Sequence, residues 1–283
     1  MNSVTLENTV CPLCERGAAA RLVESFPPFD VKQCGVCTLL FLNPRLAEND
    51  MLARYAAPDY YHSETHGYSN YAAQERALRA TYQSLLKRWH HQGLRGESLL
   101  ELGCGWGFFL AEARPYFKRL WGADFGSQAV ELAQTHADQV FTGGLDQIPT
   151  SVRFDTLALN QVIEHLYAPK PFLRDCLERL NPGGTLLMTT PDAGSFWRRG
   201  LGRRWPSFKI PEHVSFFTRQ TLHRLLQETG WQQIRIFSYW HAFPWGLITQ
   251  KWGGQAARWL ESKLLWLPAT CLGAVARKPG SPL

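Results

Sequence analysis

LLELGCGWGFFL, residues 99–110, determines which architecture this 283-residue chain adopts. The stretch predicts a buried strand that turns through three glycines into a helix. Glycine has no Cβ and reaches positive φ at little cost, so such a turn brings backbone N–H groups close to a ligand. The spacing G-x-G-x-G, with the acid Glu101 two positions ahead of it, differs from the G-x-G-x-x-G of dinucleotide-binding proteins. The loop therefore predicts a nucleotide-binding α/β fold and leaves its ligand open.

A second predicted strand, residues 119–124 (RLWGAD), ends in the carboxylate of Asp124, and a helix is expected over residues 127–137. In doubly wound sheets, an acid at this position lies beside the ribose of a bound nucleoside and accepts hydrogen bonds from its hydroxyls. The alternative is an exposed acid that caps the following helix. Strands predicted over residues 154–160 and 185–191 alternate with further helices, which favours a mostly parallel sheet with helices on both faces.

The glycine loop resembles motif I of the class I S-adenosylmethionine-dependent methyltransferases. The segments FDTLALNQVIEHL (residues 154–166) and LERLNPGGTLLMTTPD (residues 177–192) are similar to the small-molecule branch that includes ubiquinone-biosynthesis O-methyltransferases. The resemblance covers about residues 98–238. It implies an α/β fold with a Rossmann-like sheet of seven strands, the last one antiparallel, and S-adenosylmethionine as cofactor. The implied reaction moves a methyl group to an oxygen or carbon of a small-molecule acceptor of sugar, quinone or secondary-metabolite type.

The resemblance also implies which residues bind the cofactor. Glu101 and the glycine loop would hold its amino-acid end, Asp124 the ribose hydroxyls, and Asp146 the adenine side. Asp146 is equally typical of an acid that forms a turn, so both interpretations stay open for it. The complete expected set is Glu101, Gly103, Cys104, Gly105, Gly107, Asp124, Phe125, Asp146 and Asn160.

Two histidines are candidates for a catalytic general base, because histidine has the unperturbed pKa closest to neutrality. His213 is preferred, since it lies in a Pro-Glu-His segment that recurs in the resembled branch. It belongs to an insertion that we expect to hang over the mouth of the crevice, with Trp205 as a pocket wall. His165, after the strand predicted over residues 154–160, is the second candidate. The alternative for both is a structural role.

Residues near these histidines raise two further questions: whether a divalent metal binds there, and whether the substrate is acidic. In the resembled ubiquinone enzymes, the pair corresponding to Glu164-His165 helps to hold a divalent metal together with another glutamate. This chain has Gln161 at that position, and an amide is a poorer ligand for Mg²⁺, so no metal is expected there. Four arginines of the same insertion either bind an acidic substrate through bidentate contacts or form a solvated basic loop: Arg198, Arg199, Arg203 and Arg204.

Two C-x-x-C pairs, Cys11 with Cys14 and Cys34 with Cys37, predict a separate metal site near the start of the chain. The short spacing lets the two thiolates of each tight turn meet one tetrahedral ion, and four sulfur ligands favour structural Zn²⁺. Redox disulfides are the alternative. The segment also resembles the zinc-binding module that precedes some bacterial sugar and natural-product methyltransferases. Three further cysteines and the lack of an apolar leader at residue 1 predict a cytoplasmic protein.

The sequence predicts three domains, and its charge distribution bears on which functions are expected. The expected domains are a zinc ribbon over residues 1–45, an aromatic and helical lid over 46–95, and a catalytic domain over 96–283 with insertions at about 192–217 and 240–268. The net charge is +6, but charges within the ribbon nearly balance, so nucleic acid is an unlikely partner. A zinc-ribbon nucleic-acid-binding protein or RNA methyltransferase on the same fold, and a nicotinamide-dependent oxidoreductase, remain the alternatives.

Four tryptophans recur every seven residues in the second insertion: Trp245, Trp252, Trp259 and Trp266. On a helix this spacing keeps them near one stripe. The stripe fits packing against the domain, a homodimer contact, or peripheral contact with a membrane surface. A tyrosine- and histidine-rich segment at residues 55–71, which includes His62, His66 and Tyr68, is expected to form a substrate lid.

Overall fold

The computed structural model describes residues 5–17, 19–57, 60–61, 71–94, 96–246 and 263–280. Its strands, in chain order, are β1 (Leu6–Glu7), β2 (Ala20–Phe26), β3 (Phe29–Cys34), β4 (Leu40–Leu42), β5 (Arg45–Leu46), β6 (Ser98–Leu102), β7 (Arg119–Asp124), β8 (Gln139–Thr142), β9 (Phe154–Asn160), β10 (Leu180–Pro191), β11 (Ser215–Phe216), β12 (Gln232–Pro244) and β13 (Leu264–Arg277). The α-helices are α1 (Glu48–Tyr55), α2 (Glu75–His91), α3 (Phe108–Ala113), α4 (Ser127–Ala133), α5 (Pro169–Glu178), α6 (Phe196–Leu201) and α7 (Arg219–Glu228).

The main sheet has seven strands in the order β12-β13-β10-β9-β6-β7-β8. The strands from β10 to β8 run parallel to one another, and β13 runs antiparallel to both of its neighbours. The expected seven-stranded sheet with an antiparallel last strand is therefore confirmed. From β6 the chain moves first to β7 and β8 on one side and later to β9 and β10 on the other. Such a reversal leaves a crevice at the carboxyl ends of β6 and β9, where open α/β sheets bind their ligands.

Helices cover both faces of this sheet, as the alternation of side chains along its strands requires. Leu100 and Leu157 belong to a hydrophobic cluster that contains buried residues of α5 and α7. Leu99 and Ala158, one residue earlier and one later, belong to a second cluster with buried residues of α2 and α3. Burial on both faces explains why β6 and β9 read as nearly continuous apolar runs.

The ribbon and the insertion at residues 192–217 form one structural unit. A four-stranded sheet has the order β11-β4-β3-β2, and its strand β11 comes from the insertion. Trp205 and Phe208 of the insertion pack with Val31 and Leu42 of the ribbon in one hydrophobic cluster. Trp205 is 4% exposed there and is not among the described residues that line the cavity presented below, in contrast to its prediction as a pocket wall. The ribbon sheet also extends beyond the expected range of residues 1–45.

Two element boundaries differ from the expectations. Helix α4 ends at Ala133, because the chain must turn to join the sheet edge: Asp138 N–H donates to Leu120 O, and the Asp138 carboxylate accepts from Leu120 N–H. Strand β10 begins at Leu180 and therefore includes the Asn-Pro-Gly-Gly sequence, which forms an irregularity in its pairing with β9 before the register resumes at Thr185.

The tryptophan stripe was predicted on a helix that is interrupted at Gly253 and Gly254 and ends at Pro268, and this was wrong at its far end. Trp266 lies on β13, opposite Ala242 of β12, because the two strands continue to pair from Tyr239 to Pro244. Residues 240–244 and 264–268 thus extend the sheet rather than belong to an insertion. Trp252 and Trp259 lie outside the described residues. Within the described ranges, no helix is both long and apolar enough to cross a bilayer.

We expect Trp205→Ala to lower the free energy of unfolding by about 3–5 kcal/mol, because it empties the shared core of ribbon and insertion. Urea titration followed by circular dichroism measures the change. Trp240→Ala is the matched control, since Trp240 is 57% exposed and its loss should change stability by less than about 0.5 kcal/mol. Equal effects of the two substitutions would contradict the packing described here.

Candidate active site

The glycine loop leaves β6 through three residues with positive φ: 70° at Gly103, 51° at Gly105 and 78° at Gly107. A Cβ at Gly103 would lie 2.6 Å from Val162 Cγ2, and one at Gly105 would lie 2.9 Å from the hydroxyl oxygen of Tyr71. Gly103 and Gly105 therefore admit no side chain without displacing the wall opposite. A Cβ at Gly107 would instead meet the backbone of α4, so this glycine serves helix packing.

Asp124 joins the loop after β6 to the loop after β7. Its carboxylate accepts from Gly105 N–H at 2.8 Å and from Gly126 N–H at 3.0 Å, and the Tyr61 hydroxyl donates to it at 3.3 Å. Burial raises the pKa of Asp124, and the donated hydrogen bonds from Gly126, Gly105 and Tyr61 oppose that rise. The carboxylate faces the cavity described below, where ligand hydroxyls could replace the phenol.

A buried polar chain runs from Glu101 across the ends of β6, β9 and β10. Asn160 Nδ2 donates to Glu101 Oε1 at 2.9 Å, and Thr189 Oγ1 donates to Asn160 Oδ1 at 3.2 Å. The other carboxylate oxygen of Glu101 is buried and has no hydrogen-bond partner among the described residues. Burial raises the pKa of Glu101 well above its usual value. Such an oxygen fits a ligand group that brings its own donor, such as an ammonium.

These residues surround a cavity of about 440 Å³, within the range of about 300–1,000 Å³ typical of small-molecule sites. Eight of the nine residues expected from the sequence to bind a cofactor line it: Glu101, Gly103, Cys104, Gly105, Asp124, Phe125, Asp146 and Asn160. The ninth, Gly107, is the one that packs against α4. The geometry thus places the expected cofactor residues around one space.

An aromatic wall closes the opposite side of the cavity. Tyr55, Tyr60, Tyr61 and Tyr71 all line it, and the rings of the first three follow one another edge to face at 5.2–5.4 Å. Tyr71 stacks on Phe108 at 5.4 Å. His62, His66 and Tyr68, which the sequence also placed in this lid, lie outside the described residues.

His165 lines the cavity, and His213 lies behind it. The ring centroids are 4.7 Å apart. His165 Nδ1 lies 2.9 Å from the Tyr55 hydroxyl and 3.1 Å from the Glu212 carbonyl oxygen. Burial, helped by the nearby positive charge of Lys209, holds the pKa of His165 well below its usual value. His165 is therefore neutral at pH 7, and one of its ring nitrogens carries a lone pair that can accept a hydrogen bond.

His213 is buried in the fold and does not line the cavity. Its Nδ1 lies 2.8 Å from the Ser207 carbonyl oxygen, it is 7% exposed, and burial lowers its pKa to about 3. Its role as a base stays a prediction, and this geometry favours His165 over it. The sequence analysis included Tyr55 only as part of the aromatic segment at residues 55–71 and did not identify it as a functional residue. Its position at the end of a helix, beside that segment, was the only signal for it.

Glu164 lies beside the two histidines, and one ligand atom of each of the three comes within 4.8 Å of the others. Burial raises the pKa of Glu164 to about 8, and its Oε2 accepts from the Thr190 hydroxyl at 3.0 Å. Gln161 Nε2 donates to Thr189 Oγ1 at 3.3 Å and so takes part in the polar chain of Glu101.

The arginines of the insertion lie with the ribbon and bind main-chain groups. Arg198 donates to Ala193 O and Arg199 to Gly194 O, while the Arg203 guanidinium lies over the ring of Phe26. None of these three is among the described residues that line the cavity. They therefore do not present their charges to a ligand bound beside Asp124.

The four cysteines of the ribbon meet at one point. The Cys11 and Cys37 sulfurs are 3.3 Å apart, those of Cys14 and Cys34 are 3.4 Å apart, and all four lie within 4.8 Å of one another. Tetrahedral zinc with Zn–S bonds of about 2.3 Å needs sulfurs about 3.8 Å apart, so this cluster has the required size.

Comparison with known proteins gives one family and a set of distant relatives. A family model described as a methyltransferase domain matches residues 71–236. The chain is 27% identical over 157 residues to the mitochondrial ubiquinone biosynthesis O-methyltransferase of Schizosaccharomyces pombe, covering 48% of this chain and 55% of that one. It is 29% identical over 152 residues to the ubiquinone biosynthesis O-methyltransferase of Cereibacter sphaeroides, covering 49% and 60%. The chain thus spans little more than half the length of these curated relatives.

Among solved structures, a SAM-dependent methyltransferase from Archaeoglobus fulgidus is similar, with a TM-score of 0.52 and 16% sequence identity. The match covers 72% of this chain and 97% of that one. At this identity the likeness concerns the fold alone.

Acid should destabilise the protein through His213. The unfolded chain binds a proton at this histidine below about pH 6.5, whereas the folded chain does so only near pH 3, so stability is lost as the pH falls through this window. Between pH 7 and pH 5, the wild type should lose about 2 kcal/mol more than His213→Gln, as measured by urea unfolding at both pH values. His91→Gln, at an exposed position, is the control. Parallel pH profiles for the wild type and His213→Gln would contradict this burial.

Proposed function

The chain belongs to the methyltransferase domain family, and on that premise we propose that it is an S-adenosylmethionine-dependent methyltransferase acting on an oxygen or carbon of a small-molecule acceptor. When bound, S-adenosylmethionine supplies a methyl group activated by a sulfonium centre. The remaining tasks fall to the protein: it must position the two reactants, exclude water and remove a proton from the acceptor.

One observation carries the proposal: two buried carboxylates and a glycine turn converge on one cavity at the point where the strand order reverses. Asp124 would accept hydrogen bonds from the ribose hydroxyls, in place of the Tyr61 phenol that it now accepts from. Glu101, through its unpartnered Oε2, would accept from the ammonium of the amino-acid end. Phe125 and Asp146 line the same cavity and would flank the adenine.

The base in this proposal is His165, supported by Tyr55. In the tautomer that we propose, Nδ1 carries the proton and donates to Glu212 O, because a carbonyl oxygen only accepts hydrogen bonds, and the lone pair lies on Nε2. Tyr55 packs edge to face on the same ring and fixes its orientation. His165 then takes the proton from the acceptor as its oxygen or carbon receives the methyl group.

We also propose that the four ribbon cysteines bind one structural Zn²⁺. The free thiols at Cys104, Cys176 and Cys271 fit a reducing compartment, which supports a cytoplasmic location. Contact of the second insertion with a membrane surface or a second copy stays a prediction, because Trp252 and Trp259 lie outside the described residues. RNA methylation or nucleic-acid binding and nicotinamide-dependent oxidoreduction are the alternatives that the experiments below separate.

The protein should bind S-adenosylhomocysteine in preference to NAD, as measured by isothermal titration calorimetry. Asp124→Ala should weaken that binding about 10- to 100-fold, because a hydrogen bond to a charged group contributes about 1.5–3 kcal/mol. Asp124→Asn, which keeps one acceptor oxygen, should lose less. Glu131→Ala on the exposed surface of α4 is the control.

Tighter binding of NAD than of S-adenosylhomocysteine would favour an oxidoreductase and contradict the methyltransferase proposal. Unchanged affinity in a folded Asp124→Ala protein would remove the ribose assignment. RNA binding with a steep salt dependence, in the absence of any nucleoside binding, would favour the nucleic-acid alternative.

Purified protein should contain about one zinc per chain by elemental analysis. Cys11→Ser together with Cys14→Ser should abolish zinc binding and destabilise the ribbon, because two of the four ligands are gone. Cys176→Ala is the control, since Cys176 is buried in the main core and lies outside the cluster. Zinc below about half an equivalent in the wild type would count against four-thiolate coordination.

A further inference from the structure

We propose that the methyl acceptor is an uncharged, largely apolar molecule and that the cavity discriminates against acceptors bearing a carboxylate or phosphate. The inference rests on the proposed function, since it concerns the acceptor half of the same cavity. It narrows the acceptor class, because phosphorylated sugars, nucleotide-activated sugars and carboxylated metabolites would all be excluded.

The charges that line the cavity all have one sign. Among the described residues, its ionisable acids are Glu48, Glu101, Asp124, Asp146 and Asp175, and no lysine or arginine lines it. Composition does not explain this, because the chain has 30 lysines and arginines against 24 acids. Residues 62–70, which follow Tyr61 directly in the sequence (HSETHGYSN), also contain no lysine or arginine.

Two cations that contact rings of the cavity wall are paired with acids. Lys209 Nζ lies 2.6 Å from Glu212 Oε2, behind the Tyr60 ring. The Arg45 guanidinium lies over the ring of Tyr167 and pairs with Glu7 at 2.8 Å. An anionic acceptor would therefore lose water without gaining a positively charged partner from these side chains, and desolvation of an unpaired charge is costly.

The acceptor half of the wall is apolar. Met51, Leu52, Leu166 and Phe172 line it together with the aromatic rings of Tyr55 and Tyr167. Glu48 and Asp175 are exposed residues that line the same cavity, so they repel an anion as it approaches. Glu101 and Asp124, by contrast, are buried on the cofactor side, where they offset the positive charge of a bound cofactor.

A panel of hydroxylated aromatic and alicyclic carboxylic acids, each paired with its methyl ester, tests this inference. The members of a pair differ in charge and share the same ring. Binding is measured by saturation-transfer NMR on wild-type protein saturated with S-adenosylhomocysteine. We expect esters to bind, and each bound ester to exceed its acid at least about tenfold in affinity.

Charge reversal at the cavity separates electrostatics from shape. Glu48→Lys and Asp175→Lys should each reduce the ester preference several-fold at low salt, and added salt should weaken the change, since exposed charges are screened. Glu178→Lys is the matched control: it lies on α5 three residues beyond Asp175 and does not line the cavity.

Three outcomes overturn the inference: acids binding as tightly as their esters, no ester binding at all, or an equal effect of Glu178→Lys and Asp175→Lys. Binding of S-adenosylhomocysteine is measured first, by calorimetry. Its failure counts against the proposed function, and the panel run on the free protein still decides whether the cavity prefers uncharged compounds.

Discussion

The carboxylate of Asp124 holds the site together before any ligand binds. It ties the N–H of Gly105, in the loop after β6, to the N–H of Gly126, in the loop after β7. Both loops leave the sheet at neighbouring strands, and this side chain fixes their relative position together with the backbone hydrogen bonds from Gly103 N–H and Cys104 N–H to Ala123 O. The glycine turn can then keep its left-handed backbone facing the cavity instead of collapsing onto it. Burying this acid raises its pKa, and the backbone donors make its charged form tolerable there.

A second constraint comes from the ribbon. Its buried residues Leu13 and Leu39 share a hydrophobic cluster with Phe217 and with residues of α7, so the ribbon has no separate core. This agrees with the small size of the segment, which cannot bury enough apolar surface alone. The ribbon, the insertion and the last helix stabilise one another.

The sequence predicts the catalytic sheet well and the insertions poorly. Strands such as β9 are bounded by turns and buried on both faces, so local pattern determines them, and the structure confirms the predicted bounds Phe154–Asn160. The residues expected to bind a cofactor were predicted from motif resemblance and strand order, and eight of the nine line the cavity. The pairing of the insertion at residues 192–217 with the ribbon was not predicted, because its strand β11 pairs with β4, which lies about 175 residues earlier in the chain. No local sequence periodicity indicates such a distant partner. Tyr55 was overlooked for the same reason, because its contact with His165 also joins residues far apart in the chain.

The hydrogen bonds between Leu42, Val214 and Glu164 have an evolutionary consequence. Leu42 N–H donates to Val214 O, and Val214 N–H donates to Glu164 O, so one backbone ladder joins the cysteine-bearing hairpin to the loop that carries His165. Recombination that acquires the hairpin alone would not bring Val214, the residue that makes both hydrogen bonds. The hairpin and the distant segment around β11 are therefore expected to be gained, lost or exchanged together in evolution, although two separate parts of the gene encode them.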